Sequence, residues 1–240
     1  KVPLSGLSVA KVIGMDVVVT NGDKTAAFND LTGKQGTSSK YYAKVTMKPG
    51  VEKAAYGTVT VDGDKDAVWD NVGTIPITIN LGSNVSANAK LLWDKDNFYV
   101  YAEIKDPVLN NTNGDAWEQD SLEVFIDENN GKSNSYEDDD KQYRISYVND
   151  HSFNGKKCLE ENMKSVAKIT SDGYVVEASF KWTDITPKAG DEIGLEFQIN
   201  DADASGKRIG TLSWNDETGM GWSKPEAVSY THLRAHETEA

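Results

Sequence analysis

Short segments in which apolar and polar residues alternate dominate the middle of this 240-residue chain. In SLEVFID, Leu122, Val124 and Ile126 share one face of an extended strand, and Glu123 lies on the other, because successive strand side chains point to opposite faces. The same alternation recurs in FYVYAEIK, KQYRISYVN, YVVEASFKW and GLEFQIND. No apolar stripe with a helical period reaches a useful length. The pattern predicts an all-β fold, an antiparallel and jelly-roll-like β-sandwich with little helix.

The chain divides into three parts by composition. Residues 1–50 contain the Gly-, Ser- and Thr-rich stretch NDLTGKQGTSSKYY, which is typical of a linker or of the tail of a preceding module. Residues 51–228 carry the alternating segments and form the main domain. Residues 229–240, SYTHLRAHETEA, lack strand periodicity and resemble a translated cloning adapter, so we expect them to be non-native. The opening KVPLSG has neither Met nor an apolar leader, which indicates a fragment of a longer protein.

The charge of the chain limits its partners. With 38 acidic and 25 basic residues, the net charge is −13. Nucleic acids and anionic membranes are therefore poor partners, because the electrostatic contribution has the wrong sign. Neutral ligands and divalent cations remain possible. The single cysteine, Cys158, cannot form an intrachain disulfide.

Three polar side chains lie opposite apolar triplets on their own strands. They are Glu123, Arg144 and Gln198. If these strands share a sheet, a carboxylate, a guanidinium and an amide project together from the face that turns away from the core. Such a set suits the hydroxyl groups of a sugar. The alternative is a weak surface salt bridge between Glu123 and Arg144, with Gln198 incidental.

Two tryptophans occur in polar, loop-like contexts. Trp117 lies in GDAWEQD and Trp222 in DETGMGWSKP. Exposed aromatic side chains are unfavourable unless something covers them, and two indole faces can hold a sugar ring between them. The alternative is that one or both cap the core. The other four tryptophans stand in strand-like apolar contexts and are predicted to be core residues: Trp69, Trp93, Trp182 and Trp214.

Acidic residues cluster in two loops, one around Trp117 and one at residues 137–140. Oxygen-rich loops suit hard cations such as calcium, although solvated turns have the same composition. We take Asp106, Asp120 and Asp139 as the candidate calcium ligands.

Catalysis and redox chemistry receive less support from the residues. Glu123 and Glu196 are the one candidate pair of carboxylates for a glycosidase, which needs two of them flanking the bond. A haem or redox β-sandwich would need axial ligands such as His151 and Met163, and neither lies in a convincing apolar context.

The ordered motifs between about Tyr56 and Pro225 resemble carbohydrate-binding module family 9. They are TVDGDKDAVW, AKLLWDKDNFYVYAEIKDPVLN, AWEQDSLEVFIDENNGK, YEDDDKQYR, GYVVEASFKW, GLEFQINDADASGKRIGTLSWND and GWSKP. The resemblance implies a calcium-containing β-sandwich that binds reducing ends of β-1,4-glycans such as xylan and cellulose. By position, it assigns Trp117 and Trp222 to a sugar sandwich, and it assigns hydrogen bonding with the sugar to Glu123, Arg144 and Gln198.

The resemblance also implies a setting for the module. We expect a secreted bacterial protein in which a non-catalytic module targets an attached xylanase, a glycoside hydrolase, to its polysaccharide. Two features depart from the family pattern. Gly219 replaces the ligand-binding Asn that precedes the second Trp, and the adapter-like tail replaces the closing strand. The opening KVPL resembles the closing strand of a preceding copy, which hints at a tandem.

Overall fold

A computed structural model describes residues 12–21, 24–27, 32, 34, 37–38, 40, 43–46 and 52–234. The chain forms two compact units, residues 1–50 and residues 51–240. In the first unit, β1 (Val12–Met15) pairs with β4 (Ala43–Thr46), and β2 (Val18–Asn21) pairs with β3 (Lys24–Ala27), both antiparallel. The opening KVPL lies outside the described residues.

Within residues 52–234, the second unit contains thirteen strands in one connected sheet system. They are β5 (Glu52–Tyr56), β6 (Ile75–Ile77), β7 (Ile79–Leu81), β8 (Ser86–Trp93), β9 (Asn97–Lys105), β10 (Ser121–Asp127), β11 (Asp140–Ser146), β12 (His151–Asn154), β13 (Met163–Ile169), β14 (Gly173–Lys181), β15 (Glu192–Ala202), β16 (Arg208–Ser213) and β17 (Ser229–Leu233). Helical structure in the described part of this unit is confined to short 3-10 turns: Ala67–Asn71, Ala116–Glu118, Glu160–Asn162 and Pro225–Ala227. None of the helices among the described residues has the length and apolar character needed to span a bilayer.

The strands form two layers. The first layer runs β12-β11-β10-β15, and β15 pairs on its far side with β17 along its first half and with β16 along its second. The second layer runs β13-β14-β9-β8-β6. These pairings are antiparallel, as predicted. The exception is β5, which pairs in parallel with both β17 and β8 and so joins the layers.

The core lies between the two layers and consists of the side chains that the alternation predicts. They are Phe98, Val100, Ala102, Ile104, Leu122, Val124, Ile126, Tyr143, Ile145, Val176, Ala178, Phe180, Leu195, Phe197 and Ile199, all buried. Trp69, Trp93 and Trp214 are buried too, and Trp182 packs partly buried against the core. The predicted β-sandwich with little helix and its predicted core are therefore confirmed.

A second apolar cluster covers the outer face of the second layer. It contains Val59, Val61, Trp69, Val72, Leu92, Tyr99 and Tyr101. The segment before β6 is fastened there by the buried carboxylate of Glu177, which accepts hydrogen bonds from the Trp69 indole at 3.0 Å and from the Gly63 backbone at 2.9 Å. This part of the outer face of the second layer is therefore covered.

The segment after residue 228 differs from expectation. Residues Ser229–Leu233, predicted to lack strand structure, form β17 between β15 and β5. Leu233 is 1% exposed and Thr231 is fully buried, and the carbonyl of Arg234 accepts a hydrogen bond from the Trp93 indole at 2.9 Å. The prediction of a missing strand is wrong because pairing partners on both sides stabilise a segment whose own pattern is weak. Residues 235–240 lie outside the described part.

This strand should contribute measurably to stability. We expect a chain ending at Val228 to lose about 3 kcal/mol or more, since it exposes the partners of Leu233 and leaves backbone groups of β5 and β15 unpaired. For a domain of this size the loss corresponds to a melting temperature lower by roughly 6–12 °C. A chain ending at Arg234 is the control, because it keeps β17. Equal melting temperatures for the two truncated chains would contradict a structural role for β17.

Candidate functional site

The register of the first layer aligns the three predicted polar side chains. In the β10–β11 pairing Glu123 stands opposite Arg144, and in the β10–β15 pairing it stands opposite Gln198. The same row continues to Ser152 on β12 and Ser213 on β16. Paired residues project to the same side of a sheet. The three side chains therefore share the face of the first layer that turns away from the core.

A hydrogen-bond network fixes the carboxylate of Glu123. It accepts from Asn200 at 2.8 Å, from Gln142 at 2.9 Å and from Gln198 at 3.3 Å. The guanidinium of Arg144 donates to Gln119 at 2.9 Å. Glu123 is 2% exposed, Arg144 3% and Gln198 5%, so these residues form a buried polar floor. The alternative of a solvent-exposed salt bridge does not describe this arrangement.

Burial also controls the charge states of the floor. Burial raises the pKa of the Glu123 carboxyl, while its hydrogen bonds with Asn200 and Gln142 and the charge of Arg144 oppose the rise. Burial likewise lowers the pKa of Arg144, against the attraction of Glu123. The Nε of Arg144 has no hydrogen-bond partner within the protein. The floor thus holds acceptors and donors in fixed directions, with one donor unsatisfied.

Two half-exposed indoles border the open cleft above this floor. Trp117 lies in the 3-10 turn Ala116–Glu118 and is 49% exposed, and Trp222 lies between β16 and the next turn and is 53% exposed. Neither caps the core. Both line one cleft of about 560 Å³ together with the floor residues. The structure therefore brings all five predicted ligand-binding residues to one cavity.

Specific contacts support both tryptophan loops. The guanidinium of Arg208 lies 4.9 Å from the centre of the Trp117 ring and donates to Asn200 at 3.1 Å. On the other side, Asp216 accepts from the backbone of Gly221 at 2.9 Å, and the side-chain amide of Asn154 donates to the Trp222 carbonyl at 3.1 Å. Each aromatic side chain is thus carried by a loop that is tied to the sheet.

Several cleft residues were not predicted from the sequence. They are Gln142, Ser152, Phe153, Asn154 and Arg208. Gln142 was within reach, since it shares the strand face of Arg144 in the alternating segment KQYRISYVN. Phe153 and Asn154 lie on β12, which is too short to show alternation, and Arg208 depends on how the turn after β15 folds. For these three the sequence offers no local signal.

Three buried carboxylates meet beside the cleft loops. Oxygen atoms of Asp106, Asp120 and Asp201 lie within 4.8 Å of one another. Burial, followed by smaller contributions that include neighbouring carboxylates, raises the pKa of Asp106 to about 6 and that of Asp120 to about 7. One oxygen of Asp106 and the hydroxyl of Tyr174, which is fully buried, have no hydrogen-bond partner. An oxygen-rich, electrostatically unfavourable cluster of this kind fits a hard divalent cation.

One of the three predicted calcium ligands lies outside this cluster. Asp139 is not part of this cluster: its carboxylate accepts a hydrogen bond from the backbone of Asn129 at 3.0 Å. The third carboxylate of the cluster is Asp201. The sequence did not indicate it, because it lies within β15 rather than in an acidic loop, so local composition does not single it out.

The rival chemistries find no support at their named residues. Glu196 does not line the cleft with Glu123, since its carboxylate accepts from the backbone of Trp214 at 2.7 Å and of Asn215 at 2.9 Å. His151 contacts Glu160 at 3.0 Å and Ser165 at 2.8 Å through its two ring nitrogens. Met163 packs against the core. Glu123 and Glu196 therefore do not flank the cleft as a pair of carboxylates. His151 and Met163 do not form a pair of axial ligands.

The fold and the site together define a carbohydrate-binding β-sandwich module. The family described as "Carbohydrate family 9 binding domain-like" matches residues 61–234. The chain therefore belongs to carbohydrate-binding module family 9. A solved family 9 module from Caldicellulosiruptor kristjanssonii, in complex with cellotriose, superposes with a TM-score of 0.75 at 34% identity, covering 80% of this chain and 97% of that one. A glucose complex from the same organism gives the same TM-score and identity and covers 99% of that chain.

Curated relatives are much longer than this chain. Endo-1,4-beta-xylanase A from Thermotoga neapolitana is 41% identical over 226 residues, which are 92% of this chain and 21% of that protein. Exoglucanase XynX from Acetivibrio thermocellus is 40% identical over 220 residues, 88% of this chain and 20% of that protein. The chain thus spans about a fifth of the length of the curated relatives it matches.

The buried Glu196 predicts a dependence of stability on pH. Burial raises its pKa from 4.5 to about 8, so between these values the folded chain keeps a proton that the unfolded chain has lost. Stability should therefore fall as the pH rises through this window, by at most about 1.4 kcal/mol per pH unit. Urea unfolding at pH 5, 6, 7 and 8 should show a smaller decline for Glu196→Gln. Glu217→Gln, an exposed change in the following loop, is the control. The same slope in all three proteins would refute this role for Glu196.

Proposed function

We propose that this module binds β-1,4-linked glucans and xylans without catalysis, by holding a terminal sugar ring between Trp117 and Trp222. The observation that carries the proposal is the pair of half-exposed indoles above a buried polar floor in a single cleft. Sugar C–H groups pack on indole faces, and each such contact contributes about 1 kcal/mol, as other aromatic pairs do. The cleft lining combines one carboxylate, Glu123, with two guanidinium groups, Arg144 and Arg208, and otherwise uncharged side chains. This mixture of hydrogen-bond acceptors and donors suits the hydroxyl groups of a sugar.

The polar floor of the cleft orients the bound sugar. The Glu123 carboxylate accepts hydrogen bonds from sugar hydroxyls, Arg144 donates them, and Gln198 can do both. Because hydrogen bonds to charged groups are stronger than neutral ones, Glu123 and Arg144 should select the ring orientation. The solved family 9 module in complex with glucose, a single sugar ring, supports a terminal site. Reducing ends are the proposed termini.

The setting of the module is proposed from its relatives. An attached endo-1,4-β-xylanase would gain effective concentration at the polysaccharide when the module is bound, without any new contact at the catalytic site. Because such polymers lie outside the cell, we propose a secreted bacterial protein. The endo-1,4-beta-xylanase and exoglucanase relatives, of which this chain matches about a fifth, support this arrangement.

Calcium is the proposed structural cofactor. Asp106, Asp120 and Asp201 would hold it, since carboxylate oxygens are the ligands that this ion prefers. Bound there, the ion would neutralise the repulsion of three buried carboxylates.

Removing either indole should weaken binding without unfolding the module. We expect Trp117→Ala and Trp222→Ala each to raise the dissociation constant for cellotriose and xylotriose at least about fivefold, which corresponds to about 1 kcal/mol. Isothermal titration calorimetry measures the constants, and melting temperatures should stay close to wild type, because half of each ring is exposed. Ile169→Ala, which removes an exposed apolar side chain on β13, is the control. Wild-type affinity in both tryptophan variants would refute the sandwich.

Gly219 offers a gain-of-affinity test. The family resemblance places a ligand-binding Asn at this position. Its φ of +67° lies in the left-handed region, which Asn tolerates better than most residues. A Cβ there would meet Leu81 at an ordinary 3.5 Å. We expect Gly219→Asn to tighten cellotriose binding about three- to tenfold by adding one hydrogen bond. Gly219→Ala, which adds the Cβ without the amide, should show no gain, and equal affinities for the two variants would count against the restored bond.

A further inference from the structure

We propose that cation binding at Asp106, Asp120 and Asp201 is coupled to sugar binding in the cleft, so that each ligand tightens the other. The proposal rests on the proposed function and adds its regulation. It starts from where the three carboxylates stand in the chain: each lies next to, or at the base of, an element that builds the cleft.

The first connection runs through the strands of the floor. Asp201 follows Asn200 on β15, and Asn200 donates to Glu123 at 2.8 Å. Neighbouring strand residues point to opposite faces, so the carboxylate and the floor amide are fixed by the same piece of backbone. Asp120 crosses to this strand by accepting the backbone N–H of Ala202 at 2.6 Å. The cluster therefore holds the start of β10 against the end of β15, beside the Glu123–Asn200 bond.

The second connection runs through the loop that carries Trp117. Asp120 closes the loop at its base by accepting the backbone N–H of Asn110 at 2.6 Å. The residue before it, Gln119, accepts the bond from Arg144 on the floor at 2.9 Å. Position and orientation of both Trp117 and Arg144 thus depend on a loop end that is fixed by a carboxylate of the cluster.

The third connection runs through the turn after β15. Asn110 and Asn113, in the Trp117 loop, donate to the carbonyls of Ala204 and Gly206 at 3.1 and 2.8 Å. The same turn leads into Arg208, whose guanidinium lies 4.9 Å from the Trp117 ring centre and whose backbone N–H donates to Glu118 at 2.7 Å. Loop and turn form one unit around the cluster, and that unit provides one wall of the cleft.

Charge supplies the reason for coupling. Asp106, Asp120 and Asp201, whose carboxylate oxygens lie within 4.8 Å of one another, repel one another when they are ionised. One oxygen of Asp106 and the buried hydroxyl of Tyr174 have no hydrogen-bond partner within the protein. Without a cation, repulsion favours states in which β10 and β15 separate at this end. Such states loosen the Trp117 loop and the floor. Because the sugar binds best to the assembled cleft, sugar binding must favour the cation-bound state.

Linkage makes the effect reciprocal and measurable. If calcium tightens sugar binding by some factor, the sugar must tighten calcium binding by the same factor. We expect a factor of about ten, within the range found for coupled sites. The full chain is titrated with cellotriose by calorimetry after chelator dialysis and again in saturating calcium chloride. Calcium is then titrated with and without saturating cellotriose, and circular dichroism confirms that the stripped chain remains folded.

A kinetic measurement covers the case in which the stripped chain unfolds. Calcium-loaded protein is mixed with excess chelator in a stopped-flow instrument, with and without cellotriose, so that the reaction starts from the folded, loaded state. We expect slower calcium release when the sugar is bound. Asp201→Asn should weaken calcium binding and bring sugar affinity close to that of the stripped wild type. Asp64→Asn, an exposed change at the opposite layer, should leave both constants unchanged.

The outcomes separate the proposals. If calcium and cellotriose both bind, but neither changes the dissociation constant or the release rate of the other, the coupling is overturned. A chain that binds cellotriose and no calcium would overturn the cation site and the coupling, and it would leave the sugar function intact. A chain that binds no cellotriose in either state would overturn the proposed function itself.

Discussion

The register between β10 and its two neighbouring strands decides which side chains face the core and which face the cleft. Because strand side chains alternate, a slip by one residue would turn Glu123 into the core and Leu122 out of it. Apolar packing prevents that slip: Leu122, Val124 and Ile126 are held between Tyr143 and Ile145 on one side and Leu195, Phe197 and Ile199 on the other. The same packing therefore aligns Arg144, Glu123 and Gln198 in a row. In this fold, the same strand register therefore determines both the core and the floor of the cleft.

That constraint explains how much the sequence alone could predict. Strand parity was enough to find the core and the three floor residues, since both follow from a period that is visible in single segments. The two cleft tryptophans were predictable for the opposite reason, because they interrupt polar loops where no core contact would place them. The order of the strands was not readable, and neither was the parallel insertion of β5 between β17 and β8. Pairing of that kind depends on partners far apart in the chain.

The wrong strand prediction and the acid that the sequence did not indicate share this cause. Residues Ser229–Leu233 have no strand pattern of their own, yet they pair on both sides and bury Leu233. Asp139 belongs to a conspicuous run of acids and Asp201 lies within an ordinary strand, yet it is Asp201 that lies beside Asp106 and Asp120. A high density of acidic residues along the chain indicates exposed loops and turns. A cation site requires acids that distant strands bring together, which composition does not record.

Floor and rim of the cleft differ in how they are built, and the difference has a physical consequence. The floor is buried and its carboxylate already holds three donors, so a ligand finds acceptors and donors whose directions are fixed before it arrives. Such preorganisation lowers the entropy cost of binding. It also means that removing Asn200 or Gln142 leaves a buried charge short of partners, which destabilises the fold as well as the site. The indoles of the rim are half-exposed and contribute little to the fold, and their proposed role is contact with the ligand. Changes in the floor should therefore lower stability and affinity together, whereas changes at the rim should lower affinity and leave stability nearly unchanged.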